Sequence, residues 1–411
     1  MPVRGAPLHL PVASAEAARA IPGVYLSPRI AAVAIQPLRT GTPAFLGVQG
    51  VKRVVRLDSR HDIEGALRQV TGMAAHAVRG FFANGGQCCY LVPARGNESA
   101  DPGEFDLSGL DQIGDFDLVC APDMAALLSP DQLARAHARI LGWCAHDGLR
   151  FAILDAPRTI GELDEYRRSL DRNLRGKPSE VRSFGAGYYP WLRIAQARVP
   201  SGNAEAAPGP GGIPQIPVPC SGHVAGIYSR NDRDKGVWVA PANEVVAGAL
   251  ALDNGGSGAG DSWAAAGTAG FNALRGFRKR GIRVWGARTL CGDPPLGYVT
   301  ARRVLQAVAR RLEQVLAPIV FEPDTPLLWA RVNRIVSAQF EALYRSGALA
   351  GATAEEAYFV RCDADTNSPQ ARARGQVVAE AGIAVVAPAE FITIDIRIGE
   401  NDLAIFQHVG G

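Results

Sequence analysis

Between residues 116 and 194, short apolar runs alternate with amphipathic stretches, and no other feature restricts the fold as much. Residues 116–120, 150–155 and 183–194 read as strands, while 129–145 and 160–174 carry helical spacing. A strand that rejoins its sheet after a helical crossover runs parallel to its predecessor, so the expected class is α/β, mixed with α+β pieces. Earlier segments extend the pattern. Residues 31–35 and 44–48 read as strands, and Ile63, Leu67, Val70, Ala74, Ala77, Val78 and Phe81 place one helix over 62–83. Asn84, Gly85 and Gly86 end that helix, and 88–92 follow as a buried strand.

The 411 residues exceed what one core usually organises, so two or more domains are expected. The Pro/Gly-rich stretch 199–219 reads as a long loop. Helices are expected beyond it at 264–280, 300–316 and 326–346, with Gly281 and Gly347 as stops.

The two ends carry a different signal. Ile392, Ile394, Ile396 and Ile398 alternate with Thr393, Asp395 and Arg397, which is the period of a half-buried strand. Residues 403–407 read as one more strand. Near the start, Val24, Tyr25 and Leu26 lie between Pro22 and Pro28, a short extended segment suited to a sheet edge. An apolar terminal strand must pair with something, because an open edge invites aggregation.

Composition and motifs exclude more than they assign. A net charge of +3 from 43 basic and 40 acidic groups makes no case for nucleic acid or an anionic membrane. No stretch approaches the ~20 apolar residues needed to cross a bilayer, and the proline-interrupted N-terminus is not read as a secretory signal. Seven cysteines without a C-x-x-C pair suit reduced thiols. The glycines at 255, 256, 258 and 260 lack the lysine of a phosphate loop and read as a flexible loop. His137 and His146, nine positions apart, do not share a helix face well, and no histidine pairs with cysteine at zinc spacing. No nucleophile elbow occurs. No catalytic residue, cofactor or metal is therefore assigned.

Asp123 and Asp155 follow strand ends, where α/β enzymes often keep functional groups; capping of helices or turns is the favoured reading. Cys88 and Cys89 offer a nucleophile or two buried hydrophobes, and burial is favoured. Arg302, Arg303, Arg310 and Arg311 have no interleaved aromatics and are read as a solvated or subunit-facing helix side.

An ordered series of short motifs spans about residues 220 to 398. It runs from Ser221-Gly222-His223-Val224-Ala225-Gly226-Ile227-Tyr228 through Trp238, Pro241 and Asn243 to Asn272, Trp285 and Arg288. It continues through Glu322-Pro323, Leu328-Trp329 and Cys362-Asp363 to Pro388-Ala389-Glu390-Phe391. This series resembles the tail sheath proteins of contractile phages and of related extracellular injection systems. Pro22-Gly23-Val24-Tyr25 and the segment from Phe81-Phe82 through Asn84-Gly85-Gly86 to Tyr90 look like the family's earlier landmarks; Asp324 stands where asparagine is commoner.

The resemblance implies a structural subunit, not an enzyme. It would polymerise helically around an inner tube and contract to drive that tube through a target envelope. Residues 1–30 would be an N-terminal arm, 31–219 an inserted outer α/β domain, 220–390 the sheath core and 391–411 a C-terminal strand arm. Val24, Tyr25, Leu26 and the four isoleucines from Ile392 to Ile398 would link subunits by adding strands to neighbouring sheets. Arg331, Arg334 and Arg345 would face the tube or form an ordinary solvated face. Trp238, Pro241, Asn243, Trp285, Arg288, Glu322, Pro323 and Trp329 are read as core and network residues.

Expected partners are the chain itself, the inner tube, and baseplate and terminator or cap proteins, without nucleic acid or membrane insertion. Assembly would take place in a bacterial cytoplasm, and the product would be a virion tail or a released particle. An α/β enzyme of unknown reaction and a non-contractile baseplate or adaptor protein are the other readings.

Overall fold

A computed structural model describes residues 9–10, 40–59, 61–93, 105–196, 207–208, 214–253, 271–293, 296–319, 322–385, 391–398 and 403–409. The chain divides into a larger unit, Thr40–Arg303, and a smaller one made of Met1–Arg39 and Val304–Gly411. The position 219/220, drawn from sequence as a boundary, falls inside the larger unit.

The two-residue strand β1 (His9–Leu10) belongs to the smaller unit. The larger unit holds β2 (Pro43–Val48), β3 (Val55–Asp58), β4 (Cys88–Pro93), β5 (Leu118–Cys120), β6 (Phe151–Asp155) and β7 (Gly185–Tyr189). It continues with β8 (Trp191–Ala195), β9 (Ala207–Pro208), β10 (Pro214–Val218), β11 (Ala249–Asp253), β12 (Phe271–Phe277) and β13 (Gly281–Trp285). The smaller unit resumes with β14 (Tyr358–Arg361), β15 (Val377–Ala384), β16 (Phe391–Ile398) and β17 (Leu403–Val409).

The main sheet has eight strands in the order β13-β12-β7-β6-β5-β2-β4-β3. Its interior pairs are parallel, and β3 and β13 close the two edges antiparallel. Parallel sheets need cover on both faces, and here both faces are apolar. Ala152 and Leu154 of β6 join a core with the helices Pro130–Asp147 and Leu163–Asn173. Phe151 and Ile153 point the other way, into a core with the helices Met73–Ala83 and Ser221–Lys235. The α/β expectation holds.

Several expected elements change. The helix expected over 62–83 is interrupted at Thr71, which bridges to Gln49, and at Gly72, whose φ of 76° is incompatible with a right-handed helix. The single strand over 183–194 is two strands in different sheets, parted at Pro190, which has no N–H to continue a ladder. The end of the supposed loop 199–219 is β10, paired antiparallel with β8. The helix expected over 264–280 is overturned from Phe271 onward by the β12–β13 hairpin, where Asn272 and Leu274 alternate inward; 264–270 lie outside the described residues. Gly281 serves that hairpin with φ 73° and does not end a helix. The expected strand at 31–35 also lies outside the described residues.

In the smaller unit the order is β1-β17-β16-β15-β14, with every pairing antiparallel. The helix Pro326–Arg345 packs on this sheet, with Phe340 edge-on to Tyr358 at 5.7 Å and Asn333 donating to the Cys362 carbonyl at 2.9 Å. Gly347, with φ 77°, follows that helix as expected.

Candidate assembly edge

The alternating isoleucines form β16 over the residues expected of them. By register, Ile392, Ile394, Ile396 and Ile398 lie opposite Ile383, Ala381, Ala379 and Val377 of β15, all four of which are buried. Along this edge β16 is held by β15 in a continuous antiparallel ladder. Its other side pairs with β17 over Ile392–Ile398. Within one chain, β16 is therefore an interior strand. The edges are β14 and the outer side of β17, which among the described residues is covered only at Leu403 and Ala404, by β1. Val24, Tyr25 and Leu26 lie outside the described residues.

The arginines of the Pro326–Arg345 helix are unequal. Arg331 pairs with Glu322, and Arg345 pairs with Glu341 one turn back at 2.6 Å. Arg334 is exposed and makes no ion pair among the described residues. Trp329 is buried, with its Nε1 donating to Asp324 at 2.7 Å and the Arg372 guanidinium 5.4 Å from its ring centre. Asp324 is thus a structural acceptor. Pro323 is exposed.

The larger-unit landmarks also find places. Pro241 is buried and Trp238 half-buried. Asn243 adopts a left-handed φ of 59° and donates its N–H to the Val284 carbonyl at 2.7 Å. Arg288 is exposed and lies 4.0 Å from the centre of the Tyr298 ring. Trp285 corrects its expected core placement: it is 43% exposed and packs at a tilt against Phe277, because β13 is an edge strand.

Capping explains the two aspartates. Asp123 accepts the Ala74 N–H at 3.0 Å, and Asp155 accepts the Ser221 N–H at 2.7 Å, so each closes the start of a helix. Asp123 sits beyond the end of β5, where β2 is flanked by β5 on one side and β4 on the other. That is the switch point where open α/β sheets keep ligands; here a helix N-terminus engages the carboxylate. Burial raises the Asp155 pKa to about 6. Cys89 is buried and its thiol pKa is pushed up by burial; Cys88 is half-buried.

Arg302 and Arg303 contradict the solvated reading, while Arg310 and Arg311 are half-buried. Arg302 is buried, donating to Ser183 at 2.9 Å with its guanidinium 4.0 Å from the Phe184 ring centre. The Arg303 side chain is 3% exposed and grips Asp232, itself 2% exposed, through both terminal nitrogens. It also reaches Asp117 at 3.2 Å, and Asp117 accepts the N–H groups of Gly41 and Thr42 at 2.9 and 2.7 Å. Burial works against the Arg303 charge, but the Asp232 carboxylate outweighs it and holds the pKa above the ordinary arginine value. Sequence reasoning missed this cluster because its partners lie 186 and 71 positions away.

The Ser221–Tyr228 landmark has a packing role. Gly222 and Gly226, one helical turn apart, let the Ser221–Lys235 helix press on Ala77 and Phe81 of the Met73–Ala83 helix, while Gly80 makes room for His223. A Cβ at any of the three glycines would clash. Asn84 completes the joint, donating to the Gly80 carbonyl at 2.8 Å and accepting the Ala247 N–H at 2.8 Å.

Known proteins share this fold. Residues 292–399 match the phage tail sheath C-terminal domain. The sheath complex of the PVC extracellular contractile injection system, solved in its contracted state, is 26% identical with a TM-score of 0.65, covering 90% of this chain and 96% of that one. The helical sheath of the anti-feeding prophage in its contracted state is 26% identical at TM-score 0.64, covering 91% and 98%. The sheath tail protein DSY3957 of Desulfitobacterium hafniense, at 9% identity and TM-score 0.57 over 89% and 98%, shares the fold. No curated protein sequence matches. The mixed α/β architecture is that of sheath proteins. Residues 292–399 carry the phage tail sheath C-terminal domain, and the chain is similar over about nine-tenths of its length to contractile sheaths; it is a structural sheath subunit of the phage tail-like injection-system class, not an enzyme.

Proposed function

We propose that copies of this chain polymerise as a helical sheath around an inner tube, and that contraction of the sheath drives the tube through a target envelope. The observation that carries this reading is the five-stranded β1-β17-β16-β15-β14 sheet, in which β1 covers the outer side of β17 at only two described positions. In an isolated chain β16 and β17 fill their own slot. In a polymer, terminal strands from an adjacent copy would fill it with the same ladder, so exchange conserves the hydrogen bonds while linking subunits. The exchanging arms are residues 1–30 and 391–411, around an outer domain 31–219 and a core 220–390. Val24, Tyr25 and Leu26 would pair at one end, and Ile392, Ile394, Ile396 and Ile398 would set register at the other.

Arg331, Arg334 and Arg345 would face the tube, and of the three Arg334, which has no ion pair among the described residues, would grip an acidic partner. Assembly would take place in a bacterial cytoplasm, with baseplate and terminator proteins at the two ends. A similar chain at 26% identity forms part of the anti-feeding prophage baseplate structure, which supports the baseplate contact.

Truncation tests the strand link. A cut after Glu390 would strip β15 of its whole cross-strand partner and unfold the sheet. A cut after Glu400 removes β17 alone. That variant should purify as a folded, soluble monomer, and sheath-like tubes of it under the electron microscope would overturn the reading. Charge reversal of Arg334 to glutamate should reduce tube-dependent assembly measured by sedimentation; unchanged co-assembly would remove the tube-facing assignment.

A further inference from the structure

The geometry points to a second contact between copies, one that rests on the sheath reading: the cationic β12–β13 hairpin of one copy seats on the acidic first turn of the Leu163–Asn173 helix of the next. Arg275, Arg278, Lys279 and Arg280 crowd the hairpin, and among the described residues none of them forms an ion pair. Arg280 lies over the Phe277 ring at 5.9 Å, while Arg283 turns inward and donates to the Asn243 carbonyl. Positive φ angles at Lys279 (63°) and Gly281 (73°) fold the turn tightly, so the cations are displayed on a rigid tip.

The tip also carries exposed apolar surface. Trp285 packs at a tilt against Phe277, ring centres 4.8 Å apart, and remains 43% exposed, and Val245, bridged to Arg283, is 40% exposed. An aromatic centre with a charged rim is the composition of a protein interface, not of an ordinary solvated turn.

The complementary charge is on the same unit. Glu162 precedes the Leu163–Asn173 helix, and Asp164 and Glu165 occupy its first turn. None of the three has a basic partner among the described residues, although Arg79, Arg135 and Arg182 elsewhere on the unit each pair with a carboxylate. The hairpin of the same chain does not supply one. Phe271, at the root of β12, packs edge-on against Tyr166 of that helix at 6.0 Å. From there β12 runs to Phe277 and carries the tip about 20 Å outward. That is beyond the ~8 Å over which exposed charges act in physiological salt. Among the described residues of one chain neither patch finds its counter-charge, and a second copy supplies both at once. Because they are different surfaces, the contact is head-to-tail and open-ended, as a helical polymer requires.

Charge exchange tests the contact in the full-length chain. The hairpin variant Arg278→Glu/Lys279→Glu and the helix variant Asp164→Lys/Glu165→Lys should each keep the wild-type circular dichroism and melting profile. Each should lose about tenfold or more of the sedimentable sheath formed at low salt, since opposed like charges penalise a contact strongly. The four substitutions combined should restore it. Wild-type sheath yield should itself fall as salt is raised. Wild-type yield in either double variant, or a combined variant no better than the two, overturns the contact. A wild-type chain that never forms sheath defeats the polymer reading as well, so the two failures are distinguishable.

Discussion

His223 sits between two helices with no partner for its Nδ1, and burial lowers its pKa from 6.5 to about 4. The neighbouring His76, also lowered by burial, adds to the effect. The unfolded chain takes up this proton below pH 6.5, the folded chain only near pH 4. The stability tied to a neutral His223 is therefore intact above pH 6.5 and is lost as pH falls through about 4, an effect on the order of 3 kcal/mol. Asp155 acts in the opposite sense. Its pKa is raised from 3.8 to about 6, so its contribution is full below 3.8 and lost as pH rises through 6. The His223→Leu variant should show a shallower loss of stability than wild type between pH 6.5 and 4 in chemical denaturation, and an unchanged slope would refute the buried-neutral assignment. Removal of the Arg303 charge by Arg303→Met leaves Asp232 and Asp117 buried without it and should cost about 3–5 kcal/mol. The paired change Arg303→Met/Asp232→Leu should recover much of that loss, as measured by thermal unfolding. Nothing local marks Arg303 as buried. Its helix neighbours Arg302, Arg310 and Arg311 are equally charged, yet Arg302 and Arg303 are both buried, and Arg303 is the one that the long-range return of Asp117 and Asp232 ion-pairs.

At the level of elements, the glycine-lined helix joint makes a sharp prediction. Gly222→Ala forces a methyl into the Ala77 backbone and should cost about 1–3 kcal/mol, visible as a lowered melting temperature. Substitution at exposed Gly161, where nothing lies within 4 Å of an added Cβ, should be nearly neutral. How well sequence marked each element follows from where its cause lies. The helix Pro130–Asp147 announces itself by its Ser129 capping box and its periodicity, and β16 by its isoleucines, because local patterning matches their tertiary environment. The Ser221–Lys235 helix was legible only as a family landmark, since it is buried on nearly all sides and shows weak amphipathicity. The β12–β13 hairpin was misread as a helix end, because its basic turn mimics a helix C-terminus while the pairing that decides it comes from β7 and β13. The strand edges were legible as elements, but their pairing partners were not. Alternation says that a strand has a buried face, not whose strand lies beside it.

For the whole molecule, the strand layer at the C-terminus has a kinetic corollary. A protomer that lays β16 and β17 along its own β15 has already satisfied the edge through which it would join others. Joining means peeling those strands away before the replacement arrives, so two free subunits face a barrier that a growing end, with its slot already open, does not. Purified chain should accordingly show a lag in light scattering that short preformed fragments abolish. Instant, seed-independent growth would count against strand exchange. Under the proposed strand exchange the same self-closure would act as a safety catch: subunits would accumulate at high concentration and stay dispersed until a template supplied the first vacancy.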